Sequence, residues 1–190
     1  EAKDFEEKTG STFVHPFNDP KVIEGQATIG LELIQDADFN MDYLFMPIGG
    51  GGLAAGVSAV VKALSPQTVI IGAEPEGAPA MYEAIQKNEV VTLEHIDKFV
   101  DGAAVKRVGD FAFPICRDNL HAVTLVNEGK ICSSLISMYN ESGIVLEPAG
   151  ALSVAVLDQY REEIKGKHVV CILSGGNNDI TRTEEIRERS

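Results

Sequence analysis

The sequence predicts an α/β fold, a parallel twisted sheet carrying helices on both faces. Two observations predict it. Segments of strand and helix character alternate along most of the chain, and the strand-like segments are apolar throughout instead of alternating with polar residues. A strand of that kind must be covered from both sides, which is the condition of a parallel sheet.

The elements follow in order. The opening Glu1 to Gly10 has the composition of a helix tail closed by Gly10. Thr12 to Val14 reads as a short strand. Asp19 is placed to cap a helix with Pro20 in its first turn, and Val22, Ile23, Ala27, Gly30, Leu33, Ile34 and Ala37 then recur on one face. Tyr43 to Ile48 is a continuous apolar strand that ends in four glycines. A helix from Leu53, a strand from Thr68 to Glu74, a helix from Pro79 and a short strand around Val90 to Leu93 come next. The stretch 96–117 carries no clear period. Beyond it lie a strand from Ala122 to Val126, a helix capped by Asn127 and stopped by Gly143, a helix from Pro148, a strand from His168 to Leu173 and a last helix after Asp179.

Composition narrows the function classes. Sixteen Lys and Arg stand against 29 Asp and Glu, a formal net charge of -13, so the overall field repels nucleic-acid phosphates and anionic lipid surfaces. No nucleic-acid or membrane partner is expected; a small molecule is. Cys116, Cys132 and Cys171 are too widely spaced for a zinc motif and odd in number, which points to small buried hydrophobes in a reducing, cytoplasmic setting. His15, His95, His121 and His168 form no metal or nucleophile motif.

Two strand ends carry the chemistry. Gly49, Gly50, Gly51, Gly52 and Leu53 lie between an apolar strand and a helix, where glycine lets backbone N–H groups converge on an anion and the helix adds its positive end. A phosphate group suits that loop. It lacks the Lys-Ser/Thr of a nucleotide P-loop and the spacing of a dinucleotide fingerprint; a plain tight turn is the competing reading. Ser174, followed by Gly175 and Gly176, closes a second apolar strand, at the edge where open sheets bind ligands, or else serves only the turn. Glu147 before Pro148 reads first as a helix cap near the site. Glu74 and Glu76 read as a solvated turn or as cation ligands. No acid–base machinery stands out, which suggests that a cofactor carries the hard step.

Six strings, in order, resemble the threonine dehydratase family of pyridoxal-phosphate enzymes with the tryptophan-synthase-β-like fold. They are Val14 to Pro20 with Gly25 to Gly30, Gly49 to Gly56, Glu74 to Ala78, Asp101 to Val105, Glu147 to Ala151, and Ser174 to Asn177. The resemblance implies that Gly49 to Gly52 and Leu53 hold the phosphate of pyridoxal 5'-phosphate and that Ser174 meets its ring nitrogen. A neutral hydroxyl there leaves that nitrogen largely unprotonated. The implied reaction is conversion of L-threonine to 2-oxobutanoate and ammonia, as in isoleucine biosynthesis, with serine dehydratase, serine racemase or a non-catalytic phosphate-binding module as alternatives.

The resemblance also implies a division of the chain. Residues 1–14 would be the tail of a small domain and the return to the large one, and 15–190 the C-terminal part of the large, cofactor-binding domain. A homo-oligomer is implied for the intact protein. The family's Schiff-base lysine motif, Ser-Phe-Lys-x-Arg-Gly, and its Gly-Asn-His motif do not occur. The lysine is therefore expected upstream, no catalytic residue is assigned here, and Lys62, Lys106 and Lys130 are not promoted. Where some relatives complete a cation site with a second acid, this chain has Ala80, so no metal is expected. The sheet is expected to leave an apolar edge exposed.

Overall fold

The computed structural model describes residues 2–190. Eight α-helices are assigned among them: α1 (Ala2–Thr9), α2 (Pro20–Asp36), α3 (Gly52–Leu64), α4 (Ala80–Lys87), α5 (Ala112–Asn119), α6 (Glu128–Ser142), α7 (Leu152–Ala155) and α8 (Thr183–Arg189). Four parallel strands, β1 (Tyr43–Pro47), β2 (Val69–Pro75), β3 (Ala122–Val126) and β4 (Val169–Cys171), form one sheet in the order β3-β2-β1-β4. The opening helix is present from Ala2, and Glu1 lies outside the described residues.

The strands are apolar on both sides because both sides are covered. Leu44, Met46, Ile48 and Ile70 face a core made with α2, α3, α4 and α5. The intervening Phe45, Ile71, Ala73 and Val126 face a second core containing Ile131 and Leu135 of α6, Leu152 of α7 and Ile186 of α8. This is the α/β architecture expected, with helices on both faces.

Helix ends follow their capping residues. The Asp19 carboxylate accepts from Lys21 N–H at 2.7 Å, and Pro20 begins α2. Asn127 accepts from Gly129 N–H at 2.9 Å at the start of α6, and Gly143, at φ 66°, ends it.

Three expectations are corrected. Thr12 to Val14 forms no strand; the N–H of Phe13 is satisfied by the Glu6 carboxylate at 2.8 Å, which leaves no ladder to join. Val90 to Leu93 is not a strand either, since its one such link is Leu93 N–H to the Lys106 carbonyl at 2.8 Å, and β character without a neighbouring strand makes no sheet. The helix from Pro148 is broken into 3₁₀ turns at Ala149–Ala151 and Val156–Tyr160 around the single α-turn of α7. The stretch without a period holds α5, whose Pro114 sits in its first turn, where no N–H donor is required.

Strands β3 and β4 lie at the two edges of the sheet. Beside β4 a groove of about 330 Å³ is lined by Ile29, Leu33, Phe39 and Val170. A second apolar groove, about 480 Å³, runs between α2 and α3 past Leu31, Val60 and Leu64.

Glycine sets the distance between α2 and α3. A Cβ on Gly56 would overlap the Ile23 carbonyl oxygen and lie 2.7 Å from Ala27 N, both backbone atoms that cannot turn aside. Gly25, on an open part of α2, has nothing within 4 Å of its Cβ position. Gly56→Ala is expected to destabilise the intact protein by about 1–3 kcal/mol through overpacking. Gly25→Ala is expected to stabilise it by about 1 kcal/mol through helix propensity. Thermal unfolding of the two variants checks this: equal shifts in Tm would show that the helices are not held at that spacing.

Candidate functional site

The strand order fixes where a ligand crevice opens. From β1 the chain crosses through α3 on one face to β2, while β4 arrives from α6 and α7 on the other face. Segments leaving the carboxyl ends of the neighbours β1 and β4 therefore diverge, and the gap between them is the position at which such sheets bind ligands. A cavity of about 340 Å³ lies there. It is lined by Gly49, Gly50, Gly51, Gly52 and Leu53 after β1, by Ser174 after β4, and by Phe17, Gln26, Gly102 and Glu147 among others. All six site residues expected from the sequence meet at this one cavity.

The loop has the shape of an anion cradle. Gly51 caps α3 in the left-handed region, at φ 93°, and a Cβ there would lie 2.7 Å from Met81 Cε and 3.0 Å from Ala112 Cβ. Gly49 packs on the backbone of Ala103, Gly50 beneath the ring of Phe17, and Gly52 against the backbone of Phe17. The loop's carbonyls point into the protein: the Gly50 oxygen accepts from Gly109 N–H at 2.9 Å and the Gly51 oxygen from Ala55 N–H at 2.8 Å. Among the described residues, none accepts a hydrogen bond from the N–H groups of Gly49, Gly50, Gly51, Gly52 or Leu53. A row of donors without acceptors at the positive end of a 13-residue helix fits a phosphate group.

The opposite strand end is held firmly. Buried Ser153 donates to the Ile172 carbonyl at 2.7 Å, and Glu147 N–H donates to the Gly175 carbonyl at 2.7 Å. Gly150 is pressed against the backbone of Ser174, so any side chain at 150 would displace it. Gly175 turns at φ 70° directly over the Glu147 side chain. These contacts fix the Ser174 backbone at the cavity wall.

Several lining residues carried no role in the sequence reading. Phe17 is placed by its own segment: His15 Nδ1 accepts from Asn18 N–H at 3.0 Å, the His15 ring meets Phe17 edge-on at 4.6 Å, and Asn18 accepts from Phe111 N–H at 3.0 Å. The string Val14 to Pro20 was a visible signal without a visible function. Glu147, read first as a helix cap and otherwise as a residue near the site, makes no cap hydrogen bond and lines the cavity. It is the one ionisable side chain in the lining, and burial, reinforced by the nearby Asp101 charge, raises its pKa above the usual carboxylate range.

Glu74 corrects the expectation of a solvated turn. Its carboxylate is fully buried and accepts from Met81 N–H and Tyr82 N–H, each at 2.8 Å, so it closes the start of α4. Desolvation pushes its pKa up to about 8, against the pull of those two donors. Among the described residues no group of three or more His, Cys, Asp or Glu side chains could hold a metal ion. The lysines lie elsewhere: Lys62 donates to the Thr68 carbonyl at 3.0 Å, Lys106 to the Glu94 carbonyl at 2.7 Å, and Lys130 pairs with Asp158. The cysteines are free, Cys116 and Cys132 buried and Cys171 half-buried. Among the described residues no helix is long and apolar enough to cross a membrane.

The chain is similar to known proteins along its whole length. The chain is 55% identical over its whole length to the biosynthetic L-threonine dehydratase IlvA of Halalkalibacterium halodurans, covering 46% of that protein. It is 50% identical over 97% of its length to the Bacillus subtilis enzyme of the same name, covering 44% of it. The chain thus spans less than half the length of these relatives. Its backbone is similar to processed threonine deaminase isoform 2 of Solanum lycopersicum, with a TM-score of 0.93 at 36% identity over 99% of this chain and 55% of that one. It is also similar to maize serine racemase, with a TM-score of 0.87 at 30% identity over 99% of this chain and 59% of that one. The family model for the pyridoxal-phosphate dependent enzymes matches residues 1–175. With the glycine cradle and Ser174 on one cavity, the chain belongs to the pyridoxal-phosphate-dependent enzyme family.

Proposed function

We propose that the intact protein is an L-threonine dehydratase, which eliminates the β-hydroxyl of L-threonine and releases 2-oxobutanoate and ammonia for isoleucine biosynthesis. The observation that carries the reading is the single cavity onto which both the unpaired amides of Gly49 to Leu53 and the Ser174 strand end open. The 55% identity to a biosynthetic threonine dehydratase supports the choice of substrate.

In this reading Gly49 to Gly52 and Leu53 hold the phosphate of pyridoxal 5'-phosphate through backbone N–H groups, and Ser174 donates its hydroxyl hydrogen to the ring nitrogen. When bound, the cofactor supplies the electron withdrawal that lets the substrate lose its Cα proton and β-hydroxyl. The chain's own part is electrostatic and steric. The α3 N-terminus neutralises part of the phosphate charge, and a neutral hydroxyl at Ser174 leaves the ring nitrogen without a proton. Apolar Leu53, Pro47 and Ala149 in the lining limit the water around the reacting atoms.

The cofactor-anchoring lysine is taken to come from outside these 190 residues, with 1–14 belonging to the small domain and 15–190 to the large one. The free cysteines support a reducing, cytoplasmic location. The apolar groove between α2 and α3 supports a homo-oligomer.

The intact protein with pyridoxal phosphate and L-threonine is expected to release keto acid over many turnovers, while the 190-residue chain alone releases none. Multiple turnover by the isolated chain would overturn the upstream lysine. The similarity to maize serine racemase keeps one second reading, and the same assay with L-serine, following keto acid and D-serine, separates it. D-serine as the main product would replace threonine dehydratase with a racemase.

A further inference from the structure

We propose that Glu147 is a proton-linked gate on cofactor binding, a cavity carboxyl that must be neutral for the phosphorylated ring to bind tightly. The inference rests on the cofactor reading above and concerns a residue to which that reading gives no part. Three features of the structure carry it.

First, Glu147 is the one ionisable side chain that these 190 residues bring to the cavity lining, so within them it alone sets whether the wall carries charge. Second, the carboxyl sits at the cavity wall between Gly102 and the Ser174 strand end. Its Oε1 lies 3.0 Å from where a Cβ on Gly102 would stand and also against where a Cβ on Gly175, beside Ser174, would stand; the Gly102 carbonyl oxygen in turn lies 3.2 Å from where a Cβ on Gly49 would stand. Third, among the described residues none donates a hydrogen bond to this half-buried carboxylate, so an ionised form is left to solvent alone. The charged groups facing it are few. Asp101, on the segment that brings Gly102, adds a like charge and is itself held 3.8 Å from Arg182, which also pairs with Glu185. The Ala149 turn and the 174–176 segment bring no ionisable side chain. Burial and the Asp101 charge both favour the proton on Glu147.

The consequence follows from charge. A phosphate drawn to the α3 N-terminus brings its negative charge into a cavity only about 340 Å³ in volume. An ionised Glu147 there repels it, so binding takes up a proton, and affinity must fall as pH rises through the Glu147 value of the free site. A structural role alone, spacing the Gly175 turn, predicts no such dependence.

The test is equilibrium titration of the intact protein with pyridoxal phosphate over a pH series that runs upward from the usual carboxylate range. Wild type, Glu147→Gln and Asp101→Asn are compared, with pyridoxal as a probe lacking the phosphate. Using wild type relative to E147Q cancels titration of the phosphate itself. Wild-type affinity is expected to weaken about tenfold relative to E147Q over that series. The drop should be smaller with pyridoxal and should move to lower pH in D101N, which removes the neighbouring charge but keeps an oxygen able to accept from Gly102 N–H, as Asp101 does at 2.9 Å. Parallel pH curves for wild type and E147Q, or an unmoved D101N midpoint, overturn the gate; should E147Q fail to fold, the D101N midpoint decides alone. If the wild type binds no pyridoxal phosphate at any pH, it is the cofactor reading that fails.

Discussion

Gly51→Val in the intact protein is expected to lower pyridoxal phosphate affinity by well over tenfold and to destabilise the fold measurably. Gly51 is the N-cap of α3 at φ 93°, a region closed to β-branched residues. Adopting it costs about 1–2 kcal/mol. The added side chain then meets Met81 Cε and Ala112 Cβ at 2.7 and 3.0 Å from its first carbon, an overpacking cost of about 1–3 kcal/mol. Relief comes only by moving the turn, and moving the turn spreads the N–H groups that converge on the anion. Equilibrium dialysis and thermal unfolding read the two effects. Unchanged cofactor affinity in G51V would mean that the phosphate is not held by this loop.

The stability of the protein should fall with rising pH through Glu74. Its folded value is about 8 against an ordinary 4.5, so between those values the folded state binds more protons than the unfolded chain. The contribution is complete below the unfolded value and is lost as pH rises through the folded one, at a slope of up to about 1.4 kcal/mol per pH unit. Glu74→Gln removes the titration, so the difference in unfolding free energy between wild type and E74Q should shift by several kcal/mol from about pH 5 to 8. Parallel denaturation curves over that range would refute it. Glu74→Ala is harsher, because it leaves Met81 and Tyr82 N–H unpaired in a dry core at about 1–3 kcal/mol each.

How much of this was legible in the sequence depended on whether the determinant was local. Asn127 and Gly143 bound α6 because a side-chain cap and a left-handed glycine act within one turn. The phosphate loop was legible for the same reason, since four glycines between an apolar strand and a helix describe their own geometry. Val90 to Leu93 misled because β-branched residues propose a strand that only a neighbour can make. Glu74 misled because its neighbours in sequence, Pro75, Glu76 and Gly77, suggest a solvated turn, whereas its partners Met81 and Tyr82 are presented by the next helix. The 148–160 segment has helical composition but bends into 3₁₀ turns where Gly150 must admit the Ser174 backbone.

The sequence by itself determined the class of the fold, the two strand ends that matter and the chemical character of each, because glycine content, apolar runs and caps act over a few residues. Tertiary structure brought Gly49 to Leu53 and Ser174 onto one cavity, as the family resemblance implies, set Glu147 in its lining, and alone decided that Glu74 does not face solvent. The physical reason is the strand order: β4 returns to pair with β1 across more than a hundred residues, and no local preference encodes which groups that return brings together.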